Sequence, residues 1–184
     1  MYRKYFKRLL DILFSLFLIL LLWPIGIIVG VLCKITSGKV FFLQQRDGKD
    51  KKSFAIYKFR SMKDVNGNYL ERTTKITRVI RSFGLDELPQ LINILKGDMS
   101  FVGPRPFITG EELPKKPSDM IYTVKPGVIS LATANGRRKI SHEMRLKYDE
   151  VYVSNVTFKQ DVVILFKTLA VLIKQNVRGD VCKK

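Results

Sequence analysis

The sequence predicts a mostly α-helical protein with a small β-hairpin, held at a membrane by a proline-kinked, re-entrant N-terminal helix and by amphipathic interfacial helices. Three observations support this prediction. Residues 12–33 are uncharged and apolar, two strand-like segments flank an Asp47-Gly48 turn, and the later segments repeat apolar residues with a helical period. We divide the 184-residue chain into a membrane-inserted helix, residues 1–36, and a second domain, residues 37–184.

The chain is strongly basic. It has 33 Lys and Arg residues against 16 Asp and Glu residues, a formal net charge of +17, which indicates a polyanionic partner such as nucleic acid, anionic lipid or a phosphorylated substrate. The basic residues are spread along the chain without an aromatic RNA-binding motif, so we predict no nucleic-acid partner. Cys33, Cys182 and the single histidine, His142, have no spacing typical of a zinc site, a redox motif or a histidine-based triad.

The uncharged run from Ile12 to Cys33 is long enough to span a bilayer, which takes about 20 apolar residues. Pro24 lies near its middle, and proline bends a helix because it removes a backbone hydrogen bond. Both flanks are basic, and basic residues favour the cytoplasmic side of a membrane. We therefore favour a helix that bends at Pro24 and returns to the same face, with a straight spanning helix as the alternative.

The segment that follows, "KVFFLQQRDGKDKKSFAIYKFRSM", predicts the β-hairpin, with its turn at Asp47-Gly48. "KDVNGNYLERTT" is predicted to be a polar loop with an Asn66-Gly67 turn. "KITRVIRSFG" predicts a short helix with Ile76, Val79 and Ile80 on one face.

A further helix is predicted by Leu88, Leu91, Ile92 and Leu95, which form one stripe at helical spacing. Its first turn contains Pro89, where the missing N–H costs nothing. Asp86 and Glu87 then lie at or beside the helix N-terminus, where the helix dipole stabilises negative charge. Acidic residues are also common there as simple caps, so the position alone leaves their role open.

Arg105 lies between Pro104 and Pro106, which restrict its backbone. A rigidly presented guanidinium suits bidentate phosphate binding, although a rigid surface turn explains the motif equally well. A helix is predicted to begin at Ser141. The segment "TFKQDVVILFKTLAVLIKQNVRG" predicts a final amphipathic helix that packs on the core, lies on the membrane surface, or does both.

Taken together, these segments resemble the bacterial sugar transferase family, the small monotopic phosphoglycosyl transferases. The resemblance covers almost the whole chain. It rests on the basic N-terminus with its kinked apolar helix and on six further blocks that occur in order: "FFLQQRDG", "FAIYKFRSM", "RSFGLDELPQLINILKGDMSFVGPRP", "VKPGV", "NGR" and "KYDEVYVSN…FKQDVVILFKTL". The long block around "LDELPQ" is the most specific of them.

The resemblance implies a reaction. A sugar-1-phosphate passes from a nucleoside diphosphate sugar, usually a UDP-sugar, to undecaprenyl phosphate, which gives a polyprenyl diphosphate sugar and UMP. It implies that Asp86 is the nucleophile that forms a covalent phosphosugar intermediate, and that Mg²⁺ is required. Residues 37–184 would be a catalytic domain on the cytoplasmic face of the bacterial inner membrane, with membrane lipids as partners. We also leave open a homo-oligomer.

The resemblance also transfers site residues. Asp86 and Glu87 are the expected catalytic pair, with Asp86 as a metal ligand, while Glu87 would orient Asp86, help to hold the metal or act as a base. The expected substrate-binding residues all lie in matching blocks: Lys58, Arg81, Arg105 and Arg137. A helix N-terminus beside Asp86 is expected to favour its ionised, nucleophilic form.

The chain departs from the family pattern at three places. Trp23 replaces the serine that usually precedes the kink proline. The block "PGVISLATANGR" has Ile129, Ser130 and Thr133 where the family usually has Thr, Gly and Gln, so donor specificity is open. His142 stands in place of a tryptophan.

An alternative function is a non-enzymatic, membrane-tethered basic domain that binds anionic lipid or nucleic acid. It accounts for the charge and the apolar run, but not for the Asp86-Glu87 pair or the Pro-Arg-Pro loop. The sequence identifies neither the sugar donor nor the glycan pathway.

Overall fold

The N-terminal helix α1 is the longest element, spanning Lys7–Ser37 after a π-helical turn at Tyr2–Phe6. The structure, a computed structural model, describes residues 1–136 and 140–177. Within these ranges the remaining helices are α2 (Tyr69–Arg72), α3 (Lys75–Phe83), α4 (Gln90–Lys96), α5 (Leu131–Ala134), α6 (His142–Ser154) and α7 (Phe158–Val177). The strands are β1 (Phe41–Asp47), β2 (Ser53–Phe59), β3 (Ser100–Val102) and β4 (Gly127–Ile129). The mostly helical prediction with a small hairpin is confirmed.

Helix α1 has the properties of a membrane-embedded helix. Together with the preceding turn it forms one helical stretch, Tyr2–Ser37, whose most apolar 18-residue segment has a mean hydropathy of 2.9 and is 11% buried within the protein. Leu20 and Trp23 are 75% and 60% exposed. A core helix of a soluble protein would bury most of this surface, so the helix favours membrane association. The helix continues through Pro24.

The predicted hairpin is confirmed, with β1 and β2 antiparallel and Phe41 opposite Phe59. It packs on α1 and α4 through both of its faces: Phe59 clusters with Val29 and Cys33 of α1, and Ile56, which points to the other face of the strand, clusters with residues of α4. The hairpin thus connects α1 to the rest of the domain.

Helices α2 and α5 and strands β3 and β4 were not predicted. Helix α2 lies in the expected polar loop, and its N-terminus is closed by a capping box in which Asn68 and Glu71 bond each other's backbone amides. Strands β3 and β4 pair in parallel through three residues each. This pairing requires glycine at residue 127, because a Cβ there would lie 2.1 Å from the amide nitrogen of Gly103.

The expected helices α3, α4, α6 and α7 are confirmed, although the apolar face of α3 is only partly in the core. Ile80 is buried, whereas Ile76 and Val79 are 46% and 50% exposed. Exposed apolar residues on α7 include Phe166 and Ile173. Such surfaces are typical of helices that contact a membrane interface.

The first turns of α1 are held to the domain by a buried polar network around Asp161 of α7. Lys7 forms an ion pair with Asp161 at 2.5 Å, and the Tyr2 hydroxyl donates to the same carboxylate at 2.6 Å. The Tyr152 hydroxyl of α6 lies 2.8 Å from Asp161 and 3.1 Å from the Val102 carbonyl. The N-terminus of the apolar helix is therefore tied to two helices and a strand of the domain.

Further polar contacts occur at both ends of α1. The guanidinium of Arg8 donates to the carbonyls of Ile94 and Leu95, the exposed acceptors at the end of α4. The buried Asp11 accepts hydrogen bonds from the Ser100 hydroxyl and from the Phe101 backbone amide. At the other end, Ser37 donates to the Arg60 carbonyl. Both ends of the helix thus contact the same domain.

Helix α6 supports the Pro-Arg-Pro loop. Arg145 donates to the Arg105 carbonyl at 3.2 Å and lies 4.4 Å from the centre of the Phe107 ring. One turn later, Asp149 is fully buried with its carboxylate 3.8 Å from Arg145 Nε. Burial raises the pKa of Asp149 to about 7, against the opposing effects of Arg145 and of the Arg105 backbone.

We expect Lys7→Met to lower the free energy of unfolding by about 3 kcal/mol, because it leaves the 7%-exposed Asp161 carboxylate without its cation. Thermal unfolding of the detergent-solubilised protein measures the effect. Lys4→Met removes an exposed lysine one turn away and serves as the matched control. Equal stability of the two variants would contradict the structural role of this ion pair.

We expect Asp149→Asn to stabilise the protein more at pH 8 than at pH 5.5. Between about pH 4 and 7 the native state binds a proton at Asp149 that the unfolded state has lost, so the wild type loses stability as the pH rises, on the order of 4 kcal/mol over this range and about 2 kcal/mol of it above pH 5.5. The asparagine side chain does not titrate in this range, so the variant does not lose this stability as the pH rises. Melting temperatures at both pH values test this, with Asp64→Asn as the control, since that side chain is 80% exposed.

Candidate active site

Asp86 lies in a single 3₁₀ turn, Leu85–Glu87, between α3 and α4. The chain enters this turn through Gly84, whose φ of +73° ends α3 in the left-handed conformation. Leu85 and Leu88, on either side of the Asp-Glu pair, pack against the cluster that contains Val29 and Cys33 of α1. The pair is therefore fixed directly beside the membrane helix.

The Asp86 carboxylate is 8% exposed and is bound on one oxygen. The Ser61 hydroxyl donates to Oδ2 at 3.1 Å, and Arg81 lies 3.6 Å from the same oxygen while donating to Ser61 at 3.0 Å. Both contacts fall on Oδ2. Ser61 and Arg81 thus hold the carboxylate in one orientation.

The expected effect of a helix N-terminus on Asp86 is wrong. Helix α4 begins only at Gln90, after an N-cap at Pro89, so Asp86 is separated from its first turn. Burial instead raises the pKa of Asp86, and the negative charge of Glu87 adds to this effect. Arg81, Lys58 and the Ser61 hydrogen bond act in the opposite direction, so cationic side chains favour the ionised form.

Glu87 is more exposed than its neighbour and forms an ion pair with Lys58, whose Nζ lies 3.0 Å from Oε1. Lys58 comes from β2, one residue before the end of the strand. The strand therefore places one cation against both carboxylates, since Lys58 also acts on the charge of Asp86.

These residues line a cavity of about 700 Å³ that we call the basic pocket. It lies between the hairpin, the Asp86 turn, the Pro-Arg-Pro loop and α5. Its acidic residues are Asp64, Asp86 and Glu87, whereas its basic residues are Arg46, Lys58, Arg60, Lys63, Arg72, Arg81, Arg105 and Arg145. Such an excess of cations around a carboxylate pair suits a polyanionic ligand.

Several guanidinium groups of the pocket have unused donors. The buried Nε atoms of Arg46, Arg60, Arg81 and Arg145 have no hydrogen-bond partner among the residues that the structure describes. A buried donor without an acceptor is costly. Phosphate oxygens are acceptors with which guanidinium groups form strong, charge-assisted hydrogen bonds.

The structure brings together five of the predicted site residues in the basic pocket: Lys58, Arg81, Asp86, Glu87 and Arg105. Arg137 lies outside the described residues, and Pro24 lies in α1, away from the pocket. Of the substituted family positions, Ser130 and Thr133 line the pocket.

The pocket residues that the sequence did not predict include Arg46, Ser61 and Arg145. Arg46 and Ser61 lie within the blocks "FFLQQRDG" and "FAIYKFRSM", so the blocks themselves are the signal that could have indicated them. Arg145 had a weaker signal, since it lies four residues before Asp149 on the same face of α6.

The site can be tested for its fit to Mg²⁺. The described residues contain no cluster of three or more His, Cys, Asp or Glu side chains. Mg²⁺ typically takes one or two carboxylates together with substrate phosphates. Asp86 and Glu87, at the wall of a strongly basic pocket, fit that pattern.

The family model for bacterial sugar transferases matches residues 2–175. The chain is 41% identical to the uncharacterized sugar transferase EpsL of Bacillus subtilis, covering 94% of this chain and 90% of that protein. It is 34% identical to the exopolysaccharide production protein ExoY of Rhizobium meliloti, covering 89% and 83%. It is also 34% identical to the undecaprenyl-phosphate galactose phosphotransferase of Salmonella typhimurium, covering 94% of this chain but only 41% of that longer protein. The family model, which matches most of the chain, and the relative that is 41% identical over nearly its whole length show that the chain belongs to the bacterial sugar transferase family.

Proposed function

We propose that this protein transfers a sugar-1-phosphate from a UDP-sugar to undecaprenyl phosphate, through a covalent intermediate on Asp86. The observation that carries the proposal is a buried carboxylate held by Ser61 and Arg81 in a strongly basic pocket, directly beside an apolar helix. Named relatives support the substrate class, among them a UDP-glucose:undecaprenyl-phosphate glucose-1-phosphate transferase of Klebsiella pneumoniae, 37% identical to this chain. The sugars that these relatives transfer, by their names, differ, so the sugar is left open.

The basic pocket would bind the diphosphate of the donor. Arg105 is presented by the Pro-Arg-Pro loop, which Arg145 supports, and Arg46 and Arg60 supply further donors. Guanidinium groups bind phosphate oxygens in a fixed geometry and neutralise their charge. Charge neutralisation is needed because an anionic carboxylate must approach an anionic phosphorus.

In the first step, Oδ1 of Asp86 attacks the phosphorus that carries the sugar. A bond forms between that oxygen and phosphorus, and the bond between this phosphorus and the bridging oxygen breaks, so that UMP leaves with the bridging oxygen. We assign Oδ1 because Ser61 and Arg81 contact Oδ2. These contacts orient the nucleophile and disperse its remaining charge.

In the second step, a phosphate oxygen of undecaprenyl phosphate attacks the same phosphorus. The bond from phosphorus to Oδ1 breaks and the Asp86 carboxylate is restored. Glu87, held by Lys58, lies beside the reacting group and is placed to accept a proton from the incoming phosphate. One diphosphate bond replaces another, so the exchange needs no separate energy source.

Mg²⁺ is proposed as the cofactor, held by Asp86 and Glu87 together with the donor phosphates. When bound, it would neutralise charge on the transferred phosphoryl group.

We also propose that α1 is re-entrant and that the domain faces the cytoplasm. Support comes from the contacts at both ends of the helix, where Lys7 binds Asp161 and Ser37 binds the Arg60 carbonyl. A straight span would carry the basic N-terminus across the bilayer and away from these partners.

We expect Asp86→Asn to reduce UMP release at least about a thousandfold, since the nucleophile is lost. Detergent-solubilised protein is incubated with a panel of UDP-sugars, Mg²⁺ and undecaprenyl phosphate. Mass spectrometry of wild type quenched with its donor should find a sugar phosphate on Asp86. Asp119→Asn, an exposed carboxylate outside the pocket, is the control. An adduct on another side chain would refute the mechanism, and no UMP from any donor would favour a binding function.

We expect Tyr5→Cys to react with a membrane-impermeant maleimide in inverted vesicles and not in spheroplasts, because a re-entrant helix leaves Tyr5 on the cytoplasmic side. Tyr5 is 61% exposed. The background carries Cys182→Ser, and the native Cys33 is buried. Glu143→Cys, exposed on α6, reports the side on which the domain lies. Opposite labelling of the two positions would support a straight span instead.

A further inference from the structure

A second cavity, of about 670 Å³, lies between α1 and α4, and we call it the apolar groove. One wall is the face of α1 that runs from Leu18 to Ile35, and the other is formed by residues 88–92 with the ring of Phe59. Among its described lining residues one is charged, Lys34, at the end of the groove beside Phe41. Its size is within the range of about 300–1,000 Å³ that is typical of small-molecule sites.

The groove is open because of a glycine. A Cβ built on Gly26 meets no atom within 4 Å, so the missing side chain leaves space rather than permitting close packing. Gly30 differs, because its Cβ would lie 3.4 Å from both Phe59 and Val40. Helix α1 thus approaches the hairpin closely at Gly30 and leaves a channel beside Gly26.

The groove adjoins the basic pocket. The Phe59 side chain lines both cavities, and its ring stacks on Phe41 in the groove at a centroid distance of 5.5 Å. Leu88, in the wall of the groove, directly follows the Asp86-Glu87 pair. One aromatic ring therefore separates an apolar surface on the membrane helix from the nucleophile.

We infer that the apolar groove binds the polyprenyl chain of the acceptor, with the phosphate end near Lys34 and Phe59. The inference rests on the proposed function and adds to it the location of the lipid. An acceptor of this chemistry must bring a phosphate to Asp86 while its hydrocarbon chain stays out of water. The groove provides an apolar path that ends beside the basic pocket, and Lys34 supplies a charge complementary to the headgroup.

The position of Gly26 provides a length-dependent test. Eight residues of helix, about 12 Å, separate it from Lys34, so only an acceptor longer than about two isoprene units reaches it. Gly26→Trp fills the channel without a backbone clash, and glycine is a poor helix former, so the helix should be retained. We expect it to raise the KM for undecaprenyl phosphate at least about tenfold, the effect of losing roughly two buried methylene groups.

The same variant should leave the KM for geranyl phosphate within about twofold of wild type, and should leave UMP release from the donor alone unchanged. Ile28→Trp is the matched control, since it adds an indole two residues on, at a position 59% exposed and on the opposite side of the helix. Equal effects of the two variants on undecaprenyl phosphate would overturn the inference.

A photolabel tests binding without turnover. Geranylgeranyl phosphate with a diazirine on its last isoprene unit should label residues 18–27 of α1 or residues 88–92, and Gly26→Trp should abolish this labelling. Labelling elsewhere would refute the groove, even if UMP release is intact. Vesicles of phosphatidylglycerol that compete as well as undecaprenyl phosphate would show a general lipid site and also overturn the inference. If no UDP-sugar yields UMP, the proposed function fails while the labelling still decides the groove.

Discussion

The buried carboxylate of Asp161 attaches the apolar helix α1 to the domain. It binds Lys7 and Tyr2 from the N-terminus and is reached by Tyr152 from α6, so three distant segments converge on one charge. Burying such a charge is costly unless it is paired and hydrogen-bonded. The first turns of α1 cannot leave the domain without exposing or orphaning it. An apolar helix, which could otherwise cross the bilayer, is thereby held along the domain that carries the carboxylate pair.

That attachment places α1 beside the carboxylate pair. Because α1 is fixed at both ends, its C-terminal half presents Val29 and Cys33 to the apolar residues on either side of Asp86 and Glu87. The opposite side of the same turn faces the basic pocket. Burial raises the pKa of Asp86, and the surrounding cations lower it, so the site balances desolvation against charge.

Elements that leave a pattern within one segment could be predicted from the sequence. The hairpin and the helix stripe from Leu88 to Leu95 have the periods of a strand and a helix, and the long apolar run is recognised by its length and its lack of charge. The β3–β4 pairing could not be predicted, since its three-residue strands are held by a backbone approach at Gly127 rather than by a pattern. Helix α2 begins with a capping box, but the polar composition of its segment and the Asn66-Gly67 pair are typical of a turn, so a loop was predicted there. In the site, Lys58, Arg81 and Arg105 were predicted from motif blocks, whereas Arg46 and Ser61 of similar blocks were not.

The two cavities suggest why a covalent intermediate is suited to this fold. The basic pocket favours a hydrophilic diphosphate, and the apolar groove favours a hydrocarbon chain, yet the two meet only across Phe59. A direct transfer would require both phosphates, each anionic, to occupy the neighbourhood of Asp86 together. If the sugar phosphate is first transferred to Asp86, UMP can leave before the lipid phosphate arrives. The cations that bound the nucleotide are then available to the second anion, so one set of basic residues serves both steps.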